Sequence, residues 1–449
     1  MLAACSDNEG DGTPSFESQM PISFSTDVSL LDTRATTGPI ESTDDLKKSP
    51  EGFGVFAYLT ETDKWSAATG SKAYSDYPIP DFMNNQQVTW GKRNSYEEDG
   101  KTKYVEDWTY SPPKYWPNSN DNATARYISF FAYAPYGSAN ITALPDASDK
   151  SPHLTYTLST TGTNTDLLWA NCTDATRNGN GLIEVDNSGT TTTTTYEKVP
   201  LTFHHALACV DIYVRRLYDE TTPTGKTPSQ QTDTLFVSQL ILDAGTSAFY
   251  SSGTFDLSTG TWRNLTPLAA TNGHYALTYT EGQLLDSISG TAVAGTTDTE
   301  RLLIRDRELD KVGQADETDA TKLARFGVDS QERRLLPWGT SLMFFPQTGL
   351  TITPTLTYSM VTHDDDLLLS SLTDTRGRIF GRRLNTVKGN PVSLSFEAGK
   401  RYKLVLLIGV EHIEFEVTSV VDWDFPLRAN PSLVEDFKQE GYSKTMDEE

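Results

Sequence analysis

The sequence is poor in cysteine. Three occur in 449 residues, Cys5, Cys172 and Cys209, and no two have the CxxC spacing on which common zinc sites are built. So few thiols also exclude a small disulfide-stapled scaffold. A Cys172–Cys209 bridge is open to the chain in principle, but a core of this size does not need one. Long hydrophobic runs are missing as well. The longest, 404–410, is strand-sized and far short of the ~20 apolar residues of a membrane helix. Any membrane attachment would therefore be covalent. Positive charge is scarce, with 37 Lys and Arg against 61 Asp and Glu, for a net charge of -24. An acidic surface repels phosphates, which argues against nucleic acid and against an electrostatic grip on anionic lipid. No GxSxG, HExxH or phosphate-binding glycine loop occurs, so no enzyme class, cofactor or metal is indicated.

Two other polar features carry no metal reading. His204 and His205 are adjacent, and neighbours on a strand point to opposite faces, so they do not share one ion. Asp364-Asp365-Asp366 sits between strand-like segments and reads as a turn or solvated loop.

What is abundant suits strands. Tyr, Phe, Trp and Thr are plentiful, and Gly and Pro recur as turn signals along the chain. An alternating strand opens at Ile22-Ser23-Phe24-Ser25, and a polar stretch follows over 32–50. Gly52-Phe53-Gly54-Val55-Phe56-Ala57-Tyr58 reads as a buried strand, and Gln87-Val88-Thr89-Trp90 as another. Trp108-Thr109-Tyr110 is an aromatic strand, and Tyr127-Ile128-Ser129-Phe130-Phe131-Ala132-Tyr133-Ala134 one that Pro135 ends. Residues 178–195, rich in Gly, Asn and Thr, read as a mobile loop or linker.

Beyond that insert the strand pattern resumes. In 208–214 the residues Ala208, Val210, Ile212 and Val214 share one face, so Cys209 and Asp211 are expected to face away from the core. Gly253-Thr254-Phe255 and Gly260-Thr261-Trp262 indicate a hairpin, 296–331 a charged loop or short helix, and 342–347 and 350–360 further strands. Tyr402, Leu404, Leu406 and Ile408 alternate, as do Ile413, Phe415 and Val417 in a half-exposed antiparallel strand. Many short strands and little helix predict an all-β protein of β-sandwiches. The expected organisation is a tether over 1–21, an N-terminal domain over 22–198, a C-terminal domain over 199–425 and a polar acidic tail over 426–449.

The N-terminus carries its own signal. Met1-Leu2-Ala3-Ala4-Cys5 has the form of a bacterial lipoprotein cleavage box, with Cys5 as the lipidated residue. The charged and apolar regions of a signal peptide do not precede it, so the expectation is a start truncated or placed too late. Residues 6–12 form an acidic, glycine-bearing tether.

Taken in order, several features resemble the fimbrillin family, pilus subunits of anaerobic Gram-negative bacteria. They are the strand at Ile22, Thr33-Arg34-Ala35, Gly54-Val55-Phe56-Ala57-Tyr58, Tyr115-Trp116-Pro117, Phe130-Phe131-Ala132-Tyr133-Ala134-Pro135 and Asp166-Leu167-Leu168-Trp169-Ala170, then Phe203-His204-His205-Ala206-Leu207-Ala208, Phe344-Phe345-Pro346-Gln347 and Phe396-Glu397-Ala398-Gly399-Lys400-Arg401-Tyr402. The resemblance spans about residues 20–425. It implies two transthyretin-like β-sandwich domains in tandem and an outer-membrane, surface-exposed lipoprotein. It also implies a trypsin-like maturation protease that cuts after Arg34, releasing the strand of Ile22 and Phe24 so that a neighbouring subunit adds a strand in its place. Two departures, the Thr-rich insert and the charged stretch 427–449, leave room for a tip, anchor or non-polymerising role. In that second reading Trp108 and Tyr110, two apart on one face, stack on a host or bacterial glycan, provided they share an exposed groove.

Overall fold

A computed structural model describes residues 20–28, 40, 42–61, 64–65, 80, 82–98, 101–117, 126–145, 151–159, 164–178, 181–186, 193–216, 231–268, 274–278, 302–305, 333–335, 341–364, 378–408 and 413–422. Among these the protein is all-β apart from one short α-helix, α1 (Thr43–Lys48), and a 3₁₀ turn at Gly245–Ser247.

The first sheet has nine strands. Its path runs β1 (Phe24–Val28), β11 (Val199–His205), β8 (Leu168–Arg177), β5 (Tyr127–Ala134), β2 (Phe53–Glu61), β3 (Met83–Glu98) and β4 (Lys101–Thr109), with β9 (Ile183–Asp186) and β10 (Thr193–Tyr196) attached beside β8. Its central strands are apolar at nearly every position because both faces are covered. On β5, Phe130, Ala132 and Ala134 enter one core while Phe131 and Tyr133 enter another. Gly52 sets the entry to β2. Its φ is +60°, and a Cβ there would lie 2.0 Å from the Val88 carbonyl oxygen, so only glycine fits.

The second core lies between this sheet and a four-stranded one of β6 (Ile141–Ala143), β7 (His153–Thr157), β14 (Tyr250–Asp256) and β15 (Thr261–Pro267). Strands from both halves of the sequence thus share one sheet. The third core is a sandwich. One side is β12 (Ala208–Arg216), β18 (Arg333–Arg334), β19 (Leu342–Phe344), β23 (Lys400–Ile408) and β24 (Ile413–Asp422). The other is β13 (Gln231–Asp243), β16 (His274–Thr278), β17 (Leu302–Arg305), β20 (Gln347–Asp364), β21 (Arg378–Lys388) and β22 (Val392–Phe396). Ala208, Val210, Ile212, Leu404, Leu406, Leu356 and Phe396 meet inside it.

The strand that opens at Val199 and includes Leu201 pairs within the first sheet, and β14 pairs with β7. The structure corrects three expectations. Residues 183–186 and 193–196 pair as an antiparallel hairpin within the supposed linker. Ile183 is buried there and Val185 and Tyr196 pack beside it; β-branched Thr on the partner strand suits the extended backbone. The polar stretch before Pro50 holds α1, capped by Ser42, whose hydroxyl accepts from the Asp45 amide at 3.1 Å, and pinned by buried Leu46. Cys209 faces a core, not solvent, because β12 is covered on both sides.

On that second side Asp211 takes Arg401 Nε at 2.7 Å and Ser341 Oγ at 2.9 Å. His205 Nδ1 meets Asp166 Oδ2 at 2.8 Å, also fully buried. Asp211 and Arg401, and Asp166 and His205, thus meet polar partners inside the core, which offsets part of the penalty of leaving water. Cys172 and Cys209 are both buried free thiols. The tail and the tether lie outside the described residues, as do Asp365, Asp366 and all of 296–331 except β17.

Burial pushes the thiols of Cys172 and Cys209 up to about 12 and the Tyr402 hydroxyl up to about 12, and raises Tyr133 and Tyr358 as well. In the unfolded chain thiols ionise near 9.0 and tyrosines near 10.0. Between these limits the unfolded state sheds protons that the folded state keeps, so stability falls as pH rises. Melting temperature should hold level to about pH 9 and then decline towards pH 12; a flat profile over that window would contradict the burial of these groups.

Candidate functional site

The first and last strands on the path of the first sheet come together. β1 lies parallel to β11, with Phe24 opposite Val199 and Val28 opposite Phe203. The Val199 amide donates to the Ser23 carbonyl at 2.9 Å. Just before β1 the chain pairs on its other side with 114–116: the Ile22 amide donates to the Lys114 carbonyl at 2.8 Å, and the Trp116 amide to the Met20 carbonyl at 3.1 Å. β1 is thus seated in a slot, held by backbone on both flanks at its start.

Period-two alternation decides what enters the slot. Ile22 and Phe24 are fully buried, while Ser25 and Asp27 are exposed. The Phe24 ring lies 6.0 Å from Phe53, 5.7 Å from Phe130 and 5.9 Å from Tyr110, centroid to centroid, with the two phenylalanines edge-on. Such contacts add to the ~1.5–3 kcal/mol gained by burying one large apolar side chain. Phe203 on β11 and Trp108 on β4 complete the wall, each touching Phe53, at 5.4 and 4.9 Å.

The free flank of β1 is closed by side chains. Trp108 Nε1 donates to Thr26 Oγ1 at 2.9 Å, and the Tyr110 hydroxyl donates to the Ile22 carbonyl at 2.9 Å. Over the slot, Lys198 Nζ reaches Asp107 Oδ1 at 2.6 Å, joining the residue before β11 to β4. Asp107 is buried and also accepts the Trp108 amide at 2.9 Å, so its position is held from two directions.

The structure brings four of the expected site residues together here: Ile22, Phe24, Trp108 and Tyr110. Trp108 and Tyr110 do not form an exposed glycan platform. Trp108 is only 3% exposed, its ring covered by Phe53 and Trp90, and Tyr110 is half-buried against Phe24. A sugar needs a bare ring face, and β1 and its neighbours occupy these. Cys5 and Arg34 lie outside the described residues; in the chain Arg34 falls between β1 and α1. His204 and His205 diverge as alternation requires, His204 towards Trp169 and His205 towards Asp166. Sequence reading missed Thr26, Asp107 and Lys198. Only Thr26 left a trace, being in phase with Ile22 and Phe24.

The all-β fold is shared with known proteins. The chain belongs to the fimbrillin-like family, matched over residues 33–423, beginning downstream of β1. It is 25% identical over 280 residues to the fimbrium subunit Fim1C of Phocaeicola vulgatus, an alignment covering 60% of this chain and 60% of that relative. A crystal structure of a fimbrial protein from Bacteroides vulgatus superposes with a TM-score of 0.53 at 20% identity, over 90% of this chain and 99% of that one, which shows the shared fold.

Phe24→Ala should cost about 3–5 kcal/mol in denaturant-induced unfolding of the uncut protein, since it empties the centre of the slot. A loss below about 1 kcal/mol would mean that the slot collapses without its plug.

Proposed function

We propose that this protein is a fimbrial subunit, carried to the bacterial surface as a lipoprotein through Cys5 and built into a pilus that serves adhesion. A trypsin-like protease cuts after Arg34. β1 then leaves its slot, and a strand from a neighbouring subunit takes its place.

One observation carries this reading. β1 is the N-terminal strand of its sheet, it pairs through a single five-residue ladder, and its apolar side chains plug a trough lined by aromatic rings. A sheet that loses such a strand exposes unpaired backbone groups and an apolar floor together. An incoming extended segment satisfies both at once. Addition of units head to tail, without closure, makes a filament. Two further facts support the same reading. The family match runs over residues 33–423 and so takes in Arg34. Arg34 stands among the small, polar residues of 32–38, where a protease can bind extended chain. The role is structural, and no catalytic step is assigned to it.

Limited trypsin digestion of the full chain should give one early cut after Arg34, followed, with the other subunits of its pilus present, by SDS-resistant ladders. Arg34→Ala should abolish both. Ladders from uncut Arg34→Ala equal to those of the wild type would defeat the proposal.

A further inference from the structure

The slot reads more than apolar bulk. Two of the positions it receives are generic: an aliphatic side chain at Ile22 and an aromatic ring at Phe24, both buried. The third is chemically specific. Thr26 shares their face, and its hydroxyl accepts the indole N–H of Trp108 at 2.9 Å. That indole has a single donor, and its residue is buried. A strand with a methyl group in place of the hydroxyl leaves the donor unpaired, which costs more than the hydrogen bond itself contributes. Sites built around a buried polar partner reject the analogue that lacks it far more strongly than apolar pockets reject a missing methylene.

The contacts of Tyr110 and β11 have a different character. Tyr110 binds the Ile22 backbone carbonyl, and the Val199 amide binds the Ser23 carbonyl, so both hold any sequence. They fix register and polarity: the occupant runs parallel to β11.

Resting on the strand-exchange reading above, we propose that Trp108 is the specificity-determining residue of the slot. It selects an incoming strand of pattern aliphatic-x-aromatic-x-hydroxyl, with Ser or Thr two residues after the Phe or Tyr that replaces Phe24. The pattern Ile/Leu/Val-x-Phe/Tyr-x-Ser/Thr occurs in this sequence only at 22–26. Residues 29–449 therefore do not supply it, and the occupant is an extended segment of a different subunit. The aliphatic and aromatic positions give adhesion to the trough, and the hydroxyl discriminates.

The test uses full-chain protein cut after Arg34 and fluorescent peptides of sequence 20–28. The wild-type peptide should exchange into the cut protein. The same peptide with Thr26→Val should bind about fivefold more weakly or worse, as expected when the part-buried donor of Trp108 loses its acceptor. On cut Trp108→Phe protein, which lacks the indole N–H, the two peptides should bind alike. Equal binding of both peptides to the wild-type protein, with ladders still forming, overturns the specificity and leaves strand exchange standing. Exchange of neither peptide overturns both. Because the decisive change is in the peptide, the comparison holds even if Trp108→Phe fails to fold.

Discussion

The seat of Phe24 is the constraint on which the first unit depends. Its ring closes a trough whose other walls come from β2, β5 and the chain after β4, at centroid distances near 6 Å. Without it the facing rings of Phe53, Phe130 and Tyr110 would border a void, and voids in close-packed interiors forfeit contacts on every side. The remaining features arrange themselves around this plug. The ladder to β11 aligns it, the Trp108 and Tyr110 hydrogen bonds fix its depth and register, and the Lys198–Asp107 pair spans it. Apart from that ion pair, these contacts are made by a segment of fewer than ten residues. A strand so placed is well held while tethered, and under the proposed function it is replaced once it is not.

The same two-sided burial recurs through the fold. β5 feeds two cores, and so does β12. Sharing strands in this way binds the units together. β14 and β15 come from the second half of the chain yet extend the sheet of β6 and β7, and Trp262 on β15 donates its indole N–H to the Ala206 carbonyl at 2.7 Å, at the crossing from β11 to β12. Opening the β1 slot would therefore leave the second and third cores in place, because none of their residues belongs to β1.

Much of this was legible in the sequence, and the parts that were not have physical causes. β5 matched its expected bounds because a run of alternating aromatic and small residues ended by proline has one reading. The hairpin of β14 and β15 was legible from its glycines. Cys209 was misplaced because alternation identifies opposite faces but does not reveal that both are covered; the sheet lying over the second face comes from elsewhere in the chain. Trp108 misled for a related reason. Its spacing from Tyr110 put them on one face correctly, but what occupies that face is β1, some eighty residues earlier. The Thr-rich insert was discounted on composition, although tertiary packing of Ile183 and Tyr196 makes a hairpin of it. Pairings such as Asp107 with Lys198 join residues far apart in sequence, and neither residue carries a local mark.

The central claim is that β1 is an exchangeable plug. Hydrogen exchange at the backbone amides of Val199, Leu201 and Phe203 tests it most directly, beginning with the Val199 amide that now donates to Ser23. The account predicts slow exchange in the uncut protein, fast exchange once the chain is cut after Arg34 and the released segment removed, and slow exchange again in the assembled polymer. Protection that stays the same through all three states would contradict it.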